Sequence, residues 1–220
     1  NNKSVGTFGD FGIFSFQQSK LISSGEGGFI SIKKKEHYQR CLSLVDCGRN
    51  YKDPHKTLGT NLRMSDYQAI LLNYKFDKFI KKIKKINNNI NYLNTKLDKF
   101  DEIKVLKFNK KYNLKSTYYY PFQLSEDFLK KNSKEKFLSK CSELGLNIKG
   151  KLYDPVYLNP EFGYLDTDLN IKYRKSSCNT TENIILKKFV WIDFILFTSN
   201  KFFILLILLS LKKVLSEVKK

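Results

Sequence analysis

The sequence predicts a mixed helix-and-sheet chain in two parts, and three observations predict it. Two short β-rich runs, Gly12 to Phe16 and Gly28 to Ile32, bracket a polar loop. An apolar pattern with alternating steps of three and four runs from Tyr67 to Phe100, with neither Gly nor Pro inside it. Beyond it, strand-like and helix-like runs alternate between Ile103 and Leu152.

The elements follow in order. After the two strands, Lys35 to Val45 reads as a helix, and Asp46 to Asn61 as a loop rich in Gly, Asp and Asn that contains Pro54. Ser65 and Gln68 fit a capping box, and Tyr67, Ile70, Leu71 and Tyr74 follow at i, i+3, i+4 and i+7. The pattern continues through Phe79, Ile86, Leu93 and Phe100 with lysines and asparagines between. A coiled coil would share this pattern; one or two long amphipathic helices across a domain junction near residue 80 suit it better. Ile103 to Leu106 and Ser116 to Leu124 read as strands, Ser133 to Leu144 as a helix capped by Ser133, and Asn147 to Leu152 as an edge segment. Together they make a small α+β domain. Tyr153 to Tyr157, with Asn159-Pro160 after it, is an aromatic, proline-marked loop of the kind that lines sites. Ile184 to Val214 is more apolar than a surface helix should be. Its segment Phe202 to Leu211 is half the roughly twenty residues that cross a bilayer, so a buried helix is expected and no membrane partner.

The formal charge of +19 raises the question of nucleic acid or anionic lipid. Nearly all of the positive charge is lysine, spread from Lys33 to Lys220 among many Asn and Ile residues, as compositional bias produces. No basic stripe with interleaved aromatics and no zinc-finger, RRM or KH signature accompanies it, so no nucleic-acid partner is expected. Cys41, Cys47, Cys141 and Cys178 form no C-x-x-C pair and have only His37 and His55 to join them, so no metal site is expected. Reduced thiols in a cytoplasmic protein are the default.

Chemistry enters with the stretch Gly9-Asp10-Phe11-Gly12-Ile13-Phe14-Ser15-Phe16-Gln17-Gln18-Ser19-Lys20-Leu21-Ile22-Ser23-Ser24-Gly25-Glu26-Gly27-Gly28. A lysine on a polar loop after a strand can be held beside a cofactor, and Ser15, five residues earlier, offers a hydroxyl to a phosphate. Taken alone, a lysine near a strand is solvated surface in most proteins. Nor is the spacing of Gly6, Gly9 and Gly12 the dinucleotide fingerprint. The whole stretch, however, resembles the motif G-D-x-x-x-F-S-F-x-x-x-K-x-x-x-x-G-E-G-G of the DegT/DnrJ/EryC1/StrS sugar aminotransferases at every fixed position. A second block, Gly59-Thr60-Asn61-Leu62-Arg63-Met64-Ser65-Asp66-Tyr67-Gln68-Ala69, is similar to that family's G-x-N-x-R-M-S-x-x-Q-A segment. Weaker similarity continues through the long helices, Pro155 to Pro160 and Val190-Trp191-Ile192.

The resemblance implies an α/β fold: a fold-type I transferase dependent on pyridoxal 5'-phosphate, here with a truncated large domain followed by a small α+β domain. Residues 1–80 would be the C-terminal part of the cofactor-binding domain and 81–220 the small domain. It implies that Lys20 holds the cofactor as a Schiff base and then, released, moves a proton. Ser15 would bind the cofactor phosphate, and Asn61 would reach the phosphate in the neighbouring subunit of a homodimer with shared sites. Tyr157 stands where many members carry a substrate-contacting histidine. The implied reaction moves an amino group from glutamate or glutamine to a keto group of a nucleotide-linked sugar or a cyclitol. Lys20 favours it over the family's dehydratase branch, where histidine replaces that lysine. In the family the carboxylate that pairs with the pyridine nitrogen, the stacking aromatic and the first phosphate loop all precede the position of Asn1. The chain alone is therefore expected to be inactive or poorly folded, and the alternative is a truncated pseudoenzyme or a binding protein that dimerises through the long helices. After the Val-Trp-Ile triplet, Asp193 and Phe194 replace the family's usual histidines.

Overall fold

The computed structural model describes residues 3–49, 55, 57–106, 117–158 and 178–219; Asn159, Pro160 and Ser116 lie outside them. The chain divides into two compact units, 1–81 and 82–220.

Unit 1 opens with β1 (Phe11–Ser15) and β2 (Gly28–Ile32), paired antiparallel from Phe11↔Ile32 to Ser15↔Gly28. The backbone runs tight behind β1, where Ser31 Oγ donates to the Gly6 carbonyl oxygen at 2.6 Å. A Cβ at Gly12 would stand 2.1 Å from that same oxygen, so only glycine fits there. Helix α1 (Lys35–Val45) follows on the span its sequence predicts. Helix α2 (Asp66–Leu97) is one uninterrupted 32-residue helix that starts in unit 1 and ends in unit 2. Its capping box closes reciprocally: Gln68 N–H donates to Ser65 Oγ at 3.4 Å, and Ser65 N–H donates to Gln68 Oε1 at 3.1 Å.

The described residues of unit 1 form no hydrophobic core of their own. Among its described residues the buried ones are Gly12, Ser23, Ser24, Ser43 and Gly48, and no apolar side chain is among them. Ile13, Leu58, Tyr67 and Ile70 are each more than two-thirds exposed. An open groove of about 600 Å³ runs along the start of α2, lined by Met64, Ala69, Ile70, Leu72, Asn73 and Phe76. Apolar patterning with nothing to cover it leaves the ordering entropy of this unit without its usual counterweight.

Unit 2 is the reverse case. Its sheet has the order β3-β4-β6-β5, all antiparallel, from β3 (Ile103–Val105), β4 (Tyr119–Leu124), β5 (Ile148–Lys149) and β6 (Phe189–Asp193). Strict alternation along β4 and β6 buries Tyr120, Phe122, Leu124, Val190 and Ile192 on one face. The buried stripes of three helices complete this core: Ile83, Ile86, Ile90, Leu93 and Leu97 of α2; Phe137 and Cys141 of α4 (Lys134–Glu143); and Ile204 to Val218 at helical spacing on α6 (Lys201–Val218). The short helices α3 (Glu126–Leu129) and α5 (Asn179–Glu182) connect the larger elements. Ser125, Ser133 and Asn200 cap α3, α4 and α6 through N–H groups of Phe128, Lys136 and Phe203.

Two readings of the apolar tail need correction. Ile184 to Val214 is not one segment, because a π-helical turn (Asn183–Lys188), strand β6, a 3-10 turn (Phe194–Thr198) and α6 divide it. Strand β6 is an inner strand of the sheet, and its five residues are too short a run for periodicity to separate from the helix that follows. Nor is Phe202 to Leu211 buried all round: Ile204, Ile207, Leu208 and Leu211 are buried, while Phe202, Leu205, Leu206 and Leu209 are exposed.

One buried cation ties unit 2 together. Lys134 is 7% exposed, and its Nζ donates to the carbonyl oxygens of Gly150 (2.8 Å), Ile185 (3.1 Å) and Leu186 (2.9 Å). Burial lowers its pKa, while the three acceptors match the three N–H bonds of an ammonium. Lys134→Met should leave three carbonyls without their donor and cost about 2 kcal/mol, read as a lower urea midpoint at unchanged m value.

Candidate active site

The Lys20 loop is closed at its base by main-chain bonds. Phe16 N–H donates to Gly27 O at 2.8 Å, Ser24 N–H donates to Phe16 O at 3.0 Å, and Gln17 and Gly25 form a parallel bridge. Within the loop, Lys20 N–H donates to Gln17 O at 2.9 Å, while Gln17 Oε1 accepts from Ser19 N–H at 2.9 Å and Ser19 Oγ at 2.5 Å. Lys20 thus leaves a hydrogen-bonded turn on a half-buried position rather than a slack connection. Ser15 ends β1 with its side chain exposed, and its Oγ accepts from Gln17 N–H at 3.3 Å. Its hydroxyl proton is therefore not spent in that bond.

The two sequence motifs meet at Glu26 and Gln68, 42 positions apart in the chain. Gln68 Nε2 donates to Glu26 O at 3.0 Å, so one side chain both caps α2 and holds the Gly-Glu-Gly-Gly turn. Gly27 has φ +139°, and a Cβ there would stand 2.9 Å from Met64 Cε and 3.3 Å from Ser24 Oγ. Lys75 Nζ adds a bond to Ser23 O at 2.6 Å. The sequence did not single out Lys75, since nothing distinguishes it among the chain's lysines; Met64 had no assigned contact, and Gln68 was expected only in the capping box with Ser65.

Asn61 belongs to a separate network. It bridges Asp46 across the loop after α1, and its Oδ1 accepts from Arg63 Nε at 3.1 Å. Arg63 Nη1 pairs with Asp46 Oδ1 at 2.6 Å. With its oxygen facing the guanidinium, the exposed amide of Asn61 presents its NH₂ end as the donor for an anion. Tyr157 lies in unit 2, in a 3-10 turn (Val156–Leu158), and its hydroxyl donates to Glu182 Oε1 at 3.3 Å. Partial burial, then the neighbouring Cys178 and Glu182, push its pKa up to about 12. The phenol stays protonated at neutral pH. Glu182 as the partner of Tyr157 is a second residue that the sequence did not single out.

The polar groups on the Lys20 loop include a hydroxyl with its proton available and a primary amine. These suit an anionic phosphate ester that carries an aldehyde, which is what pyridoxal phosphate is.

The fold around this loop is that of the sugar aminotransferases. An aminotransferase from Psychrobacter cryohalolentis superposes with TM-score 0.83 at 19% identity, covering 99% of this chain and 59% of that one. The Helicobacter pylori aminotransferase involved in the biosynthesis of pseudoaminic acid superposes with TM-score 0.78 at 20% identity, covering 99% and 56%. The profile of the DegT/DnrJ/EryC1/StrS aminotransferase family matches residues 1–192, and the chain belongs to that family. In sequence it is 46% identical over 74 residues to a protein of Streptomyces kanamyceticus named as an L-glutamine:3-amino-2,3-dideoxy-scyllo-inosose aminotransferase, over 31% of this chain and 17% of that protein. It is 41% identical over 73 residues to the GDP-perosamine synthase of Escherichia coli O157:H7, over 31% and 20%. The chain spans just over half the length of the solved chains it matches.

Proposed function

We propose that this chain supplies the lysine-bearing half of a pyridoxal-phosphate aminotransferase that moves an amino group from glutamate or glutamine to a keto group of a nucleotide-linked sugar or a cyclitol. The observation that carries the reading is the docking of the two family motifs: Met64 and Gln68 hold the Glu26-Gly27 turn, and that turn closes the loop from which Lys20 projects. Bound pyridoxal phosphate supplies an electron sink for charge left on carbon when a C–H bond breaks. Lys20 Nζ would be the point of covalent attachment and, when released, the amine that takes a proton from that carbon and returns it to the carbon on the other side of the nitrogen. Ser15 Oγ donates to a phosphate oxygen. Asn61 donates through its NH₂ to the phosphate of a second subunit, which makes the working unit a homodimer. Tyr157, held by Glu182, meets the acceptor through a hydroxyl whose lone pairs can take a hydrogen bond from a sugar alcohol.

Relatives named for inosose and for GDP-perosamine chemistry support the acceptor class, and the relative named for inosose is also named for glutamine as donor. Among its described residues unit 1 buries no apolar side chain, so the activity belongs to an assembly in which further structure covers it. A truncated pseudoenzyme is the competing reading. The two separate in an assay of the covered assembly with pyridoxal phosphate, glutamine or glutamate, and a panel of keto sugars and cyclitol ketones. Mass spectrometry should find an amine in place of one ketone; an absence of amine with every pair would support the pseudoenzyme. In the active assembly Tyr157→Phe should raise KM for the acceptor about tenfold and leave KM for the amino donor unchanged.

A further inference from the structure

Helix α6 carries a second apolar face after burying its first. Ile204, Ile207, Leu208 and Leu211 close the core of unit 2 on the inner side. On the outer side Phe202, Leu205, Leu206 and Leu209 stand exposed, Phe202 by 66% and Leu209 by 55%. Steps of three and four put them on one line, which Lys212 and Lys213 continue and Lys201 precedes, all three exposed. At the foot of the helix Lys82 Nζ lies 5.2 Å from the ring centroid of Phe194. This stripe differs from the bare surface of unit 1, because here the core beneath is already complete. Four large apolar residues in line exceed what a solvated helix face needs, and such patches mark docking surfaces.

We infer that the outer face of α6 docks on an anionic lipid surface. Charge selects the occupant. Lys201 precedes the stripe and Lys212 and Lys213 follow it, with Glu217 3.9 Å from Lys213, so both ends keep a net positive charge: a second copy would bring like charges together while anionic headgroups would meet opposite ones. From Phe202 to Leu209 the stripe is about 10 Å long at the helical rise of 1.5 Å per residue, which fits a helix lying in the plane of the interface. Among the described residues no helix is long and apolar enough to cross a membrane. A helix too short and too polar to cross a bilayer can still lie in its interface.

The test is co-sedimentation of the full chain with phosphatidylcholine vesicles and with vesicles that also contain about one-third phosphatidylglycerol. Binding should favour the anionic vesicles about tenfold and fall as salt screens the headgroups. Leu205→Gln with Leu209→Gln, on the outer face and so sparing the core, should lower that binding about tenfold with unchanged circular dichroism. Phe202→Trp gives a readout that needs no loss of function: its added emission should be quenched by brominated lipid in anionic vesicles. Binding that the double substitution leaves unchanged would assign it to the dispersed lysines or to unit 1 and overturn the inference. Equal binding to both vesicle types would overturn it too. So would a dimer in sedimentation velocity that the same double substitution dissolves, which would make a second copy the occupant.

Discussion

Lys20→Ala is expected to abolish amino transfer in the active assembly, lowering kcat by about a thousandfold or more while leaving the fold intact. The magnitude follows from removing both a covalent attachment point and a positioned acid-base group. Lys20→Arg should fare no better, because a guanidinium stays protonated and neither bonds to the aldehyde nor accepts a proton. The main-chain bonds of the turn and those that Gln17 Oε1 accepts remain in both variants, so circular dichroism should not change. Steady-state rates of the parent and the two variants check this. Retention of more than a tenth of the parent rate by Lys20→Ala would remove Lys20 from the chemistry.

Gly27→Val should uncouple the two motifs. At φ +139° a β-branched residue is strained by about 1–3 kcal/mol, and its Cβ would in addition overlap Met64 Cε, 2.9 Å from where it must sit. Met64 Cε is the far end of a flexible side chain and can give way, so the backbone strain at Gly27 carries most of the effect. The Gly27 carbonyl that accepts from Phe16 N–H would shift, and with it the base of the Lys20 loop. The expected outcome is faster hydrogen exchange at the amides of Phe16 and Ser24, together with a fall in amino transfer of about tenfold. Protection factors equal to the parent's would show that the docking of the motifs does not hold the loop.

Much of this fold is legible in local signals. The span Lys35–Val45, the Ser65/Gln68 capping box and the Ser133 cap are set by nearest neighbours along the chain, and the structure reproduces each. Strand β6 was not legible. Its place between β4 and β5 depends on pairings with residues some seventy and forty positions away, which periodicity does not carry. The unpaired apolar surface of unit 1 was equally hidden, because burial is a property of what lies opposite and not of the pattern itself. For the candidate site, composition never separated Lys20 from the chain's other lysines; the motif did. What the motif could not give is the reason its glycines and its Gln68 recur together. The structure supplies it in the contacts of Met64 and Gln68 with Glu26 and Gly27. Lys134 had no signal at all, since a lysine at the first position of a helix reads as solvated, and only the three carbonyls around it give it a role.

The most direct test of the central claim is reduction with borohydride after the purified chain has been mixed with about one equivalent of pyridoxal phosphate, followed by peptide mapping. The pyridoxyl label should fall on Lys20 several-fold above the average of the other lysines, with no amino transfer by the chain alone. Label spread evenly over the lysines would contradict the role given to Lys20, and turnover by the chain alone would contradict the claim that it holds only half of the site.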